Sequence, residues 1–178
     1  MAQFITQEQL ADTLCIYRVV MMCGVSGSGK TRFARMLENE GFVRVSVDEI
    51  IWDKYGQEFA SLPFAQQQPA FAEANALMEN TVAELLGQGK SVVVDSTMCS
   101  ASKRQRMHRL CARFGAKAAT LHLPATLPTL ISRMALRKGL EPNDQIVAPE
   151  LLARFVSGFE APTPDEPLVF TLADGDEA

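Results

Sequence analysis

Gly24-Val25-Ser26-Gly27-Ser28-Gly29-Lys30-Thr31 fits the pattern G-x-x-x-x-G-K-[ST] at every fixed position. Such a loop signals phosphate only when a strand precedes it and a helix follows, and both are written here. Tyr17–Cys23 (YRVVMMC) is a short apolar run stopped by Gly24, which predicts a buried strand. A helix is expected from about Lys30 to Glu40, with Gly41 as its C-terminal stop. The glycines let backbone amides turn inward as an anion-binding nest, and the helix adds the positive end of its dipole. Lys30 is expected to reach the β- and γ-phosphates of a nucleoside triphosphate, and the Thr31 hydroxyl to ligate Mg²⁺. A Gly/Ser turn with a chance lysine would leave the flanking strand and helix unexplained.

Outward from this loop, strands and helices alternate. Residues 1–16 read as a leading helix, opened by the capping-box pattern Thr6-Gln7-Glu8-Gln9. VRVSV (43–47) is a second strand, 55–68 is ambiguous, and Pro69 suits the first turn of a helix running to Gly87 and Gly89. SVVVD (91–95), nearly all valine, suits a strand covered on both faces. A helix from Ser100 or Ser102 to Gly115, the strand AKAATLHL (116–123), the helix TLPTLISRMALRKG, a loop with Pro142 and Pro149, the helix ELLARFVSGF and the strand LVFTL (168–172) complete the series. Repeated β-α-β units require a parallel sheet with helices on both faces.

At 178 residues the chain is most simply one domain, and its 47% hydrophobic and 21% charged residues are ordinary for a globular protein. A net charge of −4 argues against duplex DNA as a partner. The N-terminus lacks a signal-peptide pattern, and no apolar run approaches a membrane span. Cys15, Cys23, Cys99 and Cys111 form no CxxC pair, and Cys23 and Cys111 read as buried thiols. The expectation is a reduced, cytoplasmic protein. The terminal DGDEA reads as a solvated acidic tail.

Two aspartates at strand ends are candidates for chemistry. Asp95 closes the valine strand, where a carboxylate can order magnesium-bound water; the alternative is a cap on the next turn. Asp48 closes the second strand, on the edge where α/β ligand crevices open. There it can take a proton from an attacking hydroxyl, but aspartate is also a favoured helix N-cap, and local sequence leaves both readings open. Arg133 and Arg137, four apart, are expected on one helix face before a polar loop, as in a mobile lid (about 133–148) that carries arginines to the phosphates. A solvated cationic face is the plainer account. Lys103, Arg104, Arg106 and Arg109 follow Asp95-Ser96-Thr97; surface solvation is the expected role of the cluster as a whole, with Arg104 the member expected near enough to contact an anionic substrate.

The ordered set GVSGSGKT, VSVDEI, VVVDST with its basic helix, SRMALRKG and Phe159-Glu160-Ala161-Pro162-Thr163-Pro164-Asp165-Glu166 resembles a family of small P-loop kinases. This AAA-type ATP-binding group is related to polynucleotide 5′-hydroxyl kinase, and more distantly to zeta-toxin and chloramphenicol phosphotransferases. The resemblance runs from about residue 18 to 172. It implies a five-stranded parallel sheet of order 2-3-1-4-5 with a small helical lid. It implies ATP and Mg²⁺ as cofactors, Asp48 as general base, and Arg137 as the lid arginine on the phosphates. Thr97 matches the threonine of an Asp-x-Thr-Asn segment, and Arg104 a basic position after it.

Three departures stand out. Met98 and Met134 replace asparagines common in the family, and Glu49-Ile50-Ile51 lacks the arginine with which polynucleotide enzymes grip a substrate phosphate. The expected acceptor is therefore a hydroxyl on a small molecule, with RNA or a nucleoside ranked below it. A nucleotide-binding regulator or adaptor without transferase activity is the alternative, supported by the two methionines. Trp52, Tyr55, Phe59 and Phe64 could wall an acceptor pocket or pack in the core.

Overall fold

The computed structural model describes residues 3–173, so the DGDEA stretch lies outside the described residues. Its sheet is wholly parallel. β1 (Gln3–Ile5), β2 (Val19–Cys23), β3 (Val43–Ser46), β4 (Val92–Asp95), β5 (Ala118–His122) and β6 (Val169–Leu172) lie in the order β1-β6-β5-β2-β4-β3. From β2 onward this is the expected 2-3-1-4-5 order of a P-loop NTPase fold. The sixth strand was not expected. Gln3–Ile5 falls where the sequence reads as a helix over 1–16, and among the described residues there only α1 (Leu10–Leu14) is helical. The open edge of β6 supplies the partner, in the register Gln3↔Phe170 to Ile5↔Leu172. The capping pattern is half present, with Gln9 Oε1 accepting from the Thr6 N–H at 3.1 Å.

β2 shows why the sheet is central. Its five residues are all buried, and the period-2 alternation divides them between two cores. Val19, Met21 and Cys23 face α3 (Val47–Tyr55), α4 (Phe64–Gly87) and α5 (Ala101–Ala112), where Met78, Val82 and Met107 pack. Val20 and Met22 face α1 and α2 (Lys30–Asn39), against Leu14, Phe33 and Leu37. A third cluster joins Leu130 and Met134 of α6 (Leu127–Ala135) to Leu152 of α7 (Pro149–Ser157).

The ambiguous stretch 55–68 resolves into the end of α3, a 3-10 turn (Gly56–Ser61) and the start of α4. α4 begins at Phe64, five residues before Pro69, so Pro69 lies inside the helix instead of opening it. Extended Pro63 is the actual cap, its carbonyl accepting from the N–H groups of Gln66 and Gln67. As expected, Cys23 and Cys111 are buried, and burial pushes their thiols up to about 12 and about 11. Among the described residues no helix is long and apolar enough to cross a membrane.

Candidate active site

The chain leaves β2 at Cys23 and turns through Gly24, Val25, Ser26, Gly27, Ser28 and Gly29 into α2. Gly29 is the N-cap at φ +97°, a left-handed conformation that side chains resist. Gly27, at φ +89°, has the Met134 Cε 2.9 Å from where a Cβ would sit, so α6 presses directly on the loop. The loop is tied outward to the segment after β4 and inward across itself. Gly24 N–H donates to the Thr97 carbonyl at 3.1 Å, and Lys30 Nζ donates to the Val25 carbonyl at 3.0 Å. Lys30 is buried; burial lowers its pKa, while the carboxylates of Asp48 and Asp95 pull it back up. The Ser28 hydroxyl is buried inside this loop without a hydrogen-bond partner. A phosphate oxygen would satisfy it, so the residues present fit a polyphosphate.

Ser46, not Asp48, caps α3. The Ser46 Oγ accepts from the Glu49 N–H at 3.3 Å, and Asp48 is the second residue of the helix. The sequence carried this signal as Ser46-Val47-Asp48-Glu49, an S-x-x-E pattern. The Asp48 carboxylate is thereby released from capping. The residue keeps solvent-exposed surface yet its carboxyl is closely surrounded by protein, and this desolvation pushes its pKa up to about 6. Lys30 and Arg137 oppose that rise, while Asp95 and Glu49 add to it. Lys30, Asp48, Asp95 and Arg137 thus form one electrostatically coupled group at the carboxyl end of the sheet.

Register explains the convergence. Ser46 pairs opposite Asp95 in the β3–β4 ladder, so the residue two beyond β3 and the last residue of β4 share an edge. Asp95 is buried, and its Oδ2 accepts from Arg44 Nη1 at 2.9 Å. Arg44, with a side chain 7% exposed, also pairs with Glu49 and lies 3.7 Å from Glu38. Glu49 Oε1 accepts a further bond from Asn143 Nδ2 at 3.1 Å, and Ser46 Oγ donates to Asn143 Oδ1 at 3.3 Å. A chain of contacts therefore runs from Asp95 through Arg44 and Glu49 to Asn143, in the loop after α6. Arg44 and Glu49 stand five apart, but the contacts that bring Arg44, Glu49 and Asn143 into the site span 51 to 97 residues of sequence, which local pattern does not reveal.

Asn143→Ala removes both of its bonds, which together are worth about 1–3 kcal/mol. The 137–146 loop should then be cut by trypsin at Arg137 and Lys138 roughly ten-fold faster, with the circular dichroism spectrum unchanged. An unaltered cleavage rate would mean that these bonds do not hold the loop.

The two arginines expected on one helix face do not share one. α6 ends at Ala135 with Leu136 as its cap, so Arg133 lies in the last helical turn and Arg137 in the following loop. There the chain tightens, Arg137 N–H bonding to the Met134 carbonyl three residues back and Gly139 turning at φ +69°. Arg133 Nη1 donates to the Gly27 carbonyl at 3.3 Å, and Arg137 Nη1 to the Gln145 carbonyl at 2.8 Å. Burial lowers the Arg137 pKa, against the pull of Asp48 and Asp144.

Arg104 does not meet the expectation of a substrate contact. It is fully buried, with Nε and Nη2 forked onto Glu166 at 2.6 and 2.7 Å, and Nη1 donating to the carbonyls of Met98 and Glu160 at 2.8 Å each. Its donors bind the 159–166 segment to the end of β4. Thr97 is half-buried, and the backbone that follows it turns left-handed at Met98 (φ +42°), a conformation that asparagine tolerates better. Met98 and Met134 are both buried and explained by packing. Phe59 is core, with Tyr55 and Phe71 against it at 5.7 and 5.3 Å, and Phe64 lies under Arg154. Trp52, on α3 one turn beyond Asp48, lines a cavity.

Comparison with known proteins bears on the family and the fold. The AAA domain family matches residues 19–162. In structure the chain is similar to a gluconokinase from Sinorhizobium meliloti 1021, at 20% identity, TM-score 0.61, covering 86% of this chain and 80% of that one. It is similar to Chaetomium thermophilum Kti12 in complex with ADP-AlF3, at 17% identity, TM-score 0.67, covering 89% and 90%. It is also similar to a chain of the Pnkp1/Rnl/Hen1 RNA repair complex, at 22% identity, TM-score 0.61, covering 79% of this chain and 43% of that one. No curated protein matches the chain in sequence. The likeness to a small P-loop kinase read from the motifs holds at the level of family and fold.

Proposed function

Because the chain belongs to the AAA domain family, we propose that it is a Mg-ATP-dependent kinase acting on a small-molecule hydroxyl. The observation that carries this reading is Asp48: freed from capping by Ser46, its carboxyl faces Lys30 and Arg137 and is pushed up to about 6. A base of that strength is ionised at neutral pH and still basic enough to draw a proton from an alcohol in the transition state. The acceptor oxygen then bonds to the γ-phosphorus as the β–γ bridging bond breaks, Asp48 keeps the hydroxyl proton, and ADP leaves. Lys30, Arg137 and Arg133 offset charge on the phosphates, and the loop amides of residues 24–29 with the Ser28 hydroxyl hold them.

Thr31 and Asp95, hard oxygen donors, are the residues that would hold Mg²⁺, which supplies charge neutralisation between the phosphates. The proposal includes a single domain, a lid formed by about residues 133–148, Thr97 on the acceptor side and a cytoplasmic location. RNA ranks below a small molecule as acceptor, since Lys54, the nearest cation after Asp48, is held by Glu73 at 2.6 Å.

One observation favours the adaptor reading: Arg44 occupies an oxygen of Asp95 on the magnesium side. Acceptor-stimulated ADP release, screened with pooled hydroxylic metabolites and short RNAs, separates the two. The kinase reading expects stimulation from the small-molecule pool and none from RNA. Silence in every pool, with ATP still bound, transfers the site to the adaptor reading.

A further inference from the structure

A cavity of about 250 Å³ opens one helical turn beyond Asp48, between α3 with its following 3-10 turn and the loop after Arg137. At the small end for ligand sites, it suits a metabolite better than a polymer. Trp52 and Gln57 form one wall; Lys138, Leu140 and Ile146 form the other. Trp52 follows Asp48 by four residues on α3, so the two share a helix face about 6 Å apart along the axis. Leu140 and Ile146 are 62% and 54% exposed, apolar groups that a ligand's apolar face would cover. The Gln145 amide is spent on the Pro142 carbonyl, whereas the Lys138 ammonium has no carboxylate partner among the described residues. The cavity therefore offers an indole platform, aliphatic walls and one cation.

We propose that this cavity receives the acceptor, and that the acceptor is a small hydroxy acid with an apolar or planar body. Its carboxylate meets Lys138, its body lies against Trp52, and its hydroxyl points along α3 to Asp48. A polyol acid would leave Leu140 and Ile146 facing hydroxyls. A polyphosphate chain would find one cation where it needs several. The inference rests on the kinase reading, but its test does not require turnover.

Trp52 is the only tryptophan of the chain, so its fluorescence reports this cavity alone. The full-length protein is titrated with 3-phenyllactate, its neutral methyl ester, gluconate and mannitol, with ADP release followed in parallel in the presence of Mg-ATP. The expected result is a saturable Trp52 change with 3-phenyllactate, weakened about five-fold or more for the ester and for gluconate. Lys138→Gln should weaken 3-phenyllactate by about the same factor and leave the ester unchanged. Equal or tighter binding of gluconate or mannitol, an unaltered Lys138→Gln variant, or no saturable change with 3-phenyllactate overturns the proposal. Saturable binding without ADP release keeps the cavity as a ligand site and overturns this ligand class as the acceptor. The kinase reading falls with it only if every pool of the ADP-release screen is silent too. ADP release stimulated by a compound to which Trp52 is silent keeps the kinase reading and removes the cavity assignment.

Discussion

Asp48→Asn lowers kcat for phosphoryl transfer by about 10²- to 10⁴-fold and leaves ATP affinity within roughly two-fold, because the lost interaction exists only in the transition state. The amide is nearly isosteric but cannot accept the acceptor's proton. In the unaltered protein kcat should fall as pH drops through about 6, where Asp48 takes up a proton. Stability moves in the opposite direction. Asp48 holds its proton more tightly in the folded chain than at the ordinary carboxylate value of 3.8, so its charge destabilises the fold above pH 6. That penalty fades as pH falls from about 6 towards 4. Asp48→Asn should therefore raise the melting temperature at pH 7–8 and leave it nearly unchanged at pH 4. A variant that keeps wild-type turnover with its acceptor would remove Asp48 as the base.

Arg104→Met costs about 3–5 kcal/mol of stability, read by urea unfolding, because Glu166 is left charged and without its fork. For a chain of this size that is a drop of about 10 °C or more in Tm. The carbonyls of Met98 and Glu160 lose their donor as well. Pairing the change with Glu166→Leu should recover a large part of the loss, since no unpaired charge then remains. A full-strength Tm in the single variant, with acceptor use destroyed, would return Arg104 to the substrate side.

The two arginines show where a single sequence stops being informative. The phosphate loop is local, eight contiguous residues between a strand and a helix, and it was legible outright. The valine strand followed from its composition and the parallel sheet from the alternation of strands and helices, whereas the strand order came with the family resemblance. Arg104 was misread because Glu166, 62 residues away, decides its role. Arg44 was passed over because Asp95 reaches it only through the ladder in which β3 and β4 lie side by side. The capping of α3 was different in kind. Ser46 and Glu49 stand three apart in plain view, but Asp48 between them is an equally good capping residue, so the local sequence offers two competing caps. The Leu136 end of α6, which parts Arg133 from Arg137, has only the weak signal of Gly139 downstream.

The unexpected edge strand sets an order in time. Among the described residues β1 touches the sheet only through β6, and Gln3 lies opposite Phe170, made 167 residues later. At about 5–20 residues per second of synthesis, the segment waits roughly 8–33 s for its partner. Meanwhile β2, β3 and β4, with the phosphate loop and Asp48, can already assemble. The first strand of the chain is the last laid into the sheet.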